Sequence, residues 1–105
     1  MLRIYTVALH LCRDAATAAR AIARHDNDLA RQLRRAAASV PLNLAEGSGV
    51  RAGNRRLRYQ TALGSALEVR ACLDVAGALG YIGAVGDDAN ARLDHIVGVL
   101  MKLTR

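Results

Sequence analysis

Between Leu29 and Leu67 the chain carries Arg31, Arg34, Arg35, Arg51, Arg55, Arg56 and Arg58 against a single acid, Glu46. A guanidinium can fork two donors onto one phosphate, so arginines at this density read as an anion-binding surface. Nucleic acid is the polymer that presents phosphates in series. The competing reading is a solvated face whose charges close onto one another in local ion pairs. Tyr59 is the one aromatic residue nearby, which argues against base stacking and against sequence-specific reading of single strands.

A second polar group accompanies the arginines. Arg35, Ser39, Asn43 and Glu46 recur at helical spacing, as do Thr61, Ser65 and Glu68. Two carboxylates could in principle share acid and base work. Neither has a histidine, nucleophile or metal partner at usable spacing, so the expectation is no enzyme. Arg35, Ser39, Asn43, Glu46, Ser65 and Glu68 read instead as a cross-helix polar cluster that fixes register. In that reading Asn43 and Ser65 satisfy backbone groups released at Pro41, and Arg35 neutralises Glu46 or Glu68.

Other chemistries find little support. His10 and Cys12 lie two apart and face different directions on a helix, so they do not share a metal. "GSGVRAG", Gly47 to Gly53, lacks GxGxxG spacing and follows a helical segment, which excludes a dinucleotide loop. His25 reads as a turn residue and His95 as a helix-surface one. Cys12 and Cys72 have neither metal-ligand spacing nor the density of a disulfide scaffold and read as buried thiols. No cofactor is expected.

Helices must position these groups. From Leu2 to about His25, the apolar residues Ile4, Ala8, Leu11, Ala15, Ala18 and Ile22 recur at spacings of three and four. Arg3, Thr6, His10, Arg13, Thr17, Arg20 and Arg24 form a polar stripe of the same period. His25-Asp26-Asn27-Asp28 supplies a turn, with Asn27 or Asp28 capping the next helix. Leu29, Leu33, Ala36, Val40 and Leu44 are the second stripe. Pro41 is expected to kink that helix or divide it, and Gly47-Ser48-Gly49 ends it.

A third helix, about Asn54 to Leu79, has one row of Tyr59, Ala62, Ala66, Val69 and Leu73 and another of Gly64, Leu67, Ala71 and Ala78. Needing cover on two sides, it is either central or part of a subunit interface. Gly80 to Gly86 reads as a glycine-rich loop. Asp87-Asp88 then caps a last helix with Leu93, Ile96, Leu100 and Leu103 on its stripe. The expectation is an all-α fold: one domain, residues 1–105, forming an antiparallel up-down four-helix bundle with the second helix kinked near Pro41.

Composition adds two constraints. Of 105 residues, 52% are apolar, but there is no Trp or Phe, so each buried side chain contributes little area at about 25 cal/mol per Å². Such a core must bring its helices close together or gain burial by self-association. The net charge of +6 points to an anionic partner. No segment reaches the roughly 18 to 20 uninterrupted apolar residues of a membrane span, and "MLRIYTVALHLCRD" lacks a signal-peptide pattern. No membrane partner is expected, and a bacterial-type cytoplasm is the expected location.

"QLRRAAASVPLNLAEGSG", Gln32 to Gly49, and "ALGSALEVRACLDVAGALGYI", Ala62 to Ile82, resemble the four-helix-bundle proteins related to those encoded in intervening sequences of bacterial 23S ribosomal RNA genes. The resemblance covers nearly the whole chain. A more distant similarity is to the basic, five-fold accessory protein of diversity-generating retroelements, which binds nucleic acid and works with a reverse transcriptase.

The resemblance implies a homopentamer of four-helix bundles with a nucleic-acid role and no enzymatic one. The family's Q-x-R-R-A block falls on Gln32, Arg34, Arg35 and Ala36. Its S-x-P-x-N-x-A-E-G block falls on Ser39, Pro41, Asn43, Ala45, Glu46 and Gly47, and its G-S-x-x-E block on Gly64, Ser65 and Glu68. The chain departs from the pattern at "NRRLRYQ", where relatives usually carry acidic and aromatic residues, and at "ARHDNDLA", which lacks the usual proline and aromatic. Two functions follow as expectations: a non-enzymatic oligomer that binds structured RNA or duplex nucleic acid, or a protein-interaction adaptor for a reverse transcriptase or ribosome-associated factor.

Overall fold

The computed structural model describes residues 3–49 and 52–105, so Arg51 lies outside the described residues. Four helices follow one another: α1 (Arg3–Ile22), α2 (Asn27–Ser48), α3 (Ala52–Ala78) and α4 (Asp87–Leu103). No strand occurs among the described residues. Each helix packs on two neighbours in the order α1, α2, α3, α4 and back to α1. On the diagonals α1 and α3 touch lightly, and α2 and α4 do not touch. Contacts from Gln32 to Glu68, Ser39 to Ser65 and Glu46 to Arg58 rise in number along α2 while falling along α3. Those from Arg56 to Thr104 and Arg70 to Asp94 do the same between α3 and α4, so these neighbours run antiparallel.

The core follows the apolar stripes. Ile4, Ala8, Leu11, Ala15 and Ile22 of α1 are buried, as are Leu33, Ala36, Val40 and Leu44 of α2, the whole first row of α3, and Leu93, Ile96 and Leu100 of α4. Three expected positions shift. Ala19 is buried and Ala18 only half-buried, because alanines on both sides of the stripe leave the period nothing to choose between. On α2, Ala30 and Ala37 are buried while Leu29 is partly exposed, and Leu103 at the end of α4 is exposed. The second row of α3, Gly64, Leu67, Ala71 and Ala78, is exposed to solvent, joined by Leu57 and Val75.

Helix ends also differ from expectation. The α2 N-cap is Asp26, in extended backbone, with its carboxylate accepting from the Leu29 amide at 2.9 Å. Asn27 and Asp28 already lie inside the helix. At α4 the cap is Gly86, which has no side chain to offer, and Asp87 and Asp88 sit in the first turn, where they still oppose the positive end of the helix dipole. Gly80 closes α3 with φ +76°, and the Tyr81 amide reaches back to the Ala76 carbonyl at 2.8 Å in a Schellman arrangement.

Pro41 does not divide α2, which continues through it to Ser48. A proline inside a helix removes the donor for the carbonyl four residues back, here that of Ala37. The Cys12 thiol of α1 supplies the missing donor, Sγ to carbonyl oxygen 3.3 Å. Asn43 and Ser65, expected in that role, both turn to Ser39 instead.

Candidate nucleic-acid interface

Along the seam between α2 and α3 the side chains form polar rungs. Gln32 Nε2 donates to Glu68 Oε2 at 3.3 Å. Next, Ser65 Oγ donates to Ser39 Oγ at 2.7 Å, and Asn43 Nδ2 donates to both the Ser39 hydroxyl and its carbonyl. Arg58 then meets Glu46 at 2.9 Å, and Arg55 Nε donates to the Gly47 carbonyl at 3.1 Å. The expected cluster thus resolves into a central hydroxyl and amide trio with one carboxylate on either side. Arg35 neutralises neither acid: Glu46 is paired with Arg58, Glu68 is held by Gln32, and Arg35 makes no hydrogen bond or ion pair among the described residues.

The arginines that crowd together in sequence are separated by the fold. Arg31, Arg34 and Arg35 lie in the first turns of α2, whereas Arg55, Arg56 and Arg58 open α3. At ~1.5 Å of rise per residue, the Gln32 and Gly47 rungs stand about 22 Å apart along α2. Arg31 is tied to Asp28 at 3.1 Å, and Arg34 is exposed without a partner among the described residues. Arg31, Gln32, Arg35, Asp28 and Glu68 together line an open hollow of about 430 Å³.

At the opposite end Arg55 and Arg56 lean on helix C-termini. The first donates to Gly47 at the end of α2, and the second donates through Nε and Nη2 to the Thr104 carbonyl at the end of α4, at 3.2 and 2.9 Å. These carbonyls carry the negative end of each helix dipole and orient the guanidinium groups. Gly47 is placed where the Tyr59 ring crosses α2: a methyl group there would stand 2.5 Å from Tyr59 Cε1.

The antiparallel arrangement gathers the start of α1, the end of α2, the start of α3 and the end of α4 at this end. Arg3, Arg55, Arg56, Arg58, Lys102 and Arg105 therefore stand there against Glu46 alone. In the rest of the bundle Arg13, Arg20, Arg24, Arg31, Arg34, Arg35, Arg70 and Arg92 are matched by Asp14, Asp26, Asp28, Glu68, Asp74, Asp87, Asp88 and Asp94. Arg51, between α2 and α3 in sequence, is the remaining charge. Among the described residues the charge excess is therefore gathered at one end rather than spread over the bundle.

Three features had little sequence signal. Asp14 on α1 receives a bidentate pair from Arg92 of α4, Nε to Oδ2 at 2.7 Å and Nη2 to Oδ1 at 2.8 Å. That hydrogen bond raises the Arg92 pKa above its already high ordinary value. The hint was that Asp14 is the lone acid of α1. The pair borders a hollow of about 410 Å³ under the Ile82–Gly86 segment. His25, in the turn after α1, stacks on Tyr81, in the loop after α3, with centroids 4.9 Å apart and planes 3° from parallel.

The thiols are quiet. Burial raises both above their ordinary pKa, and the Glu68 carboxylate adds to the effect at Cys72. No group of three or more His, Cys, Asp or Glu side chains among the described residues could hold a metal ion, and no helix there is long and apolar enough to cross a membrane.

One family model, described as 23S rRNA-intervening sequence protein, matches residues 1–102. No curated protein and no solved structure matches the chain. Four helices carrying the Gln32–Gly49 and Gly64–Glu68 blocks on one seam accord with that match. The chain belongs to the 23S rRNA-intervening sequence protein family.

Proposed function

We propose that this protein is a non-enzymatic homo-oligomer, a pentamer by the family resemblance, that binds structured RNA or duplex nucleic acid in the cytoplasm through arginine-to-phosphate contacts. The observation that carries the reading is the collection of five of the six excess positive charges at one end of the bundle. Arg55, Arg56 and Arg58, with Arg51 beside them in sequence, are the leading phosphate ligands. Arg34 is exposed, has no partner among the described residues and contributes from the side, while Arg31 and Arg35 share their surroundings with acids.

Self-association rests on uncovered apolar side chains. Leu57, Leu67 and Val75 of α3 are 59%, 47% and 46% exposed, and Leu42 on the neighbouring helix is 62% exposed. Copies packed side by side through this face would bury it and bring several basic ends to one side of the assembly, where weak phosphate contacts add through multivalency. Light scattering at micromolar concentration is expected to give a pentamer, with Leu67→Asp shifting it to monomer. A wild-type monomer overturns the assembly.

Equilibrium binding to structured RNA and duplex DNA across a salt series tests the ligand. Steep salt dependence is expected, with each lost phosphate contact reducing the log–log slope by about 0.9 on duplex DNA. An assembled wild type that binds neither polymer at low salt would leave the adaptor reading, in which the same basic end meets an acidic surface on a reverse transcriptase or ribosome-associated protein.

A further inference from the structure

The hollow at the start of α2 is built unlike a phosphate clamp. Its charged lining is Arg31 and Arg35 against Asp28 and Glu68, with the Gln32 amide between them. Two cations and two anions balance, so a bare phosphate gains from the arginines about what it loses to the carboxylates. Opposite charges in one concavity ordinarily close on each other, yet no ion pair joins Arg35 and Glu68 among the described residues, and Glu68 Oε2 instead accepts from Gln32 Nε2 at 3.3 Å. A guanidinium and a carboxylate left unclosed in one hollow match a neutral group that has adjacent acceptors on one edge and adjacent donors on another.

We propose that this hollow takes an unpaired guanine base of RNA. Guanine presents N1–H and N2–H donors side by side, which a carboxylate accepts as a pair, and O6 and N7 acceptors side by side, which a guanidinium donates to as a pair. Adenine and cytosine do not offer that combination. Glu68 takes the donor edge and Arg35 the acceptor edge. Arg31, held by Asp28 at 3.1 Å, supplies a planar guanidinium for the base face in a site with no aromatic lining. A base inside a duplex has its donor edge occupied, so the target is a loop, bulge or end of a structured RNA.

The assignment rests on the nucleic-acid reading above, and it gives the two ends separate tasks: phosphates at the basic end, one base at the balanced one. The test uses two RNA hairpins identical except at one unpaired loop position, guanosine or adenosine, titrated against wild type, Glu68→Gln, Arg35→Gln and Arg55→Glu/Arg58→Glu. Wild type is expected to prefer guanosine by about tenfold or more. The ratio falls towards one in Glu68→Gln and Arg35→Gln, whereas Arg55→Glu/Arg58→Glu weakens both hairpins and keeps the ratio.

Guanosine and adenosine monophosphate followed by amide chemical shifts provide an arm independent of RNA affinity, with guanosine expected to move resonances of residues 28–35 and 68 selectively. Equal affinity for the two hairpins overturns the base site and leaves the phosphate reading standing. Binding of neither hairpin together with a selective guanosine response supports the site and removes the RNA role. Silence in both arms overturns the two together.

Discussion

At the end where α2 passes towards α3, guanidinium groups outnumber carboxylates and rest on helix C-terminal carbonyls. Over the rest of the bundle, the end of the two turns included, eight arginines are balanced in number by eight acids. Both ends look alike in a count of basic residues along the chain. They differ because antiparallel packing decides which charges become neighbours, and the potential that a phosphate feels depends on those neighbours.

Equal charge changes placed at the two ends probe this difference most strongly. Arg55→Glu/Arg56→Glu/Arg58→Glu is expected to weaken nucleic-acid binding by about a hundredfold or more at moderate salt and to flatten its salt dependence. Arg31→Glu/Arg34→Glu/Arg35→Glu, the same formal change, should cost far less on duplex DNA. Equal losses from the two triples would break the comparison.

Stability separates the ends in a second way. Gly47→Ala would push a methyl group into the Tyr59 ring, and overpacking less the gain in helix propensity leaves an expected loss of about 1–2 kcal/mol. Gly80→Ala, at the other end, meets no neighbour but must hold a positive φ, for about 1 kcal/mol. Urea midpoints measure both, and an unchanged Gly47→Ala would mean that the ring swings aside freely. Between the ends, Cys12→Ala strips the Ala37 carbonyl of its donor and should cost about 1 kcal/mol, with Cys12→Ser recovering part of it. Both thiols should alkylate slowly at neutral pH, since burial disfavours the reactive thiolate.

Much of the fold was legible because stripes of period 3.6 need only residue type. The apolar positions of α1, α2 and α4 and the core row of α3 were readable for that reason. Capping was not: His25-Asp26-Asn27-Asp28 offers three side chains able to cap, and only the backbone at Asp26 selects one. Ser39, Asn43, Ser65, Glu46 and Glu68 were readable as residues of one seam, but Arg35 does not join them and the pairings were not readable. Arg58 reaches Glu46 across the seam more directly than Arg35 does along its own helix. The arginine run misled for a related reason. Arg55, Arg56 and Arg58 open α3 and stay together at one end, while residues 31–35 are carried most of a helix length away.

The stacked rings of His25 and Tyr81 also say something about how the molecule opens. The α1–α2 and α3–α4 hairpins are covalently continuous only at the basic end, so the bundle resembles a book whose spine lies there and whose outermost clasp is a pair of rings, backed by the Arg92–Asp14 pair. Fluctuations that part the hairpins would start at the clasp and run towards the spine. Slow amide exchange should therefore survive longest in the middle and late turns of α2 and the early turns of α3.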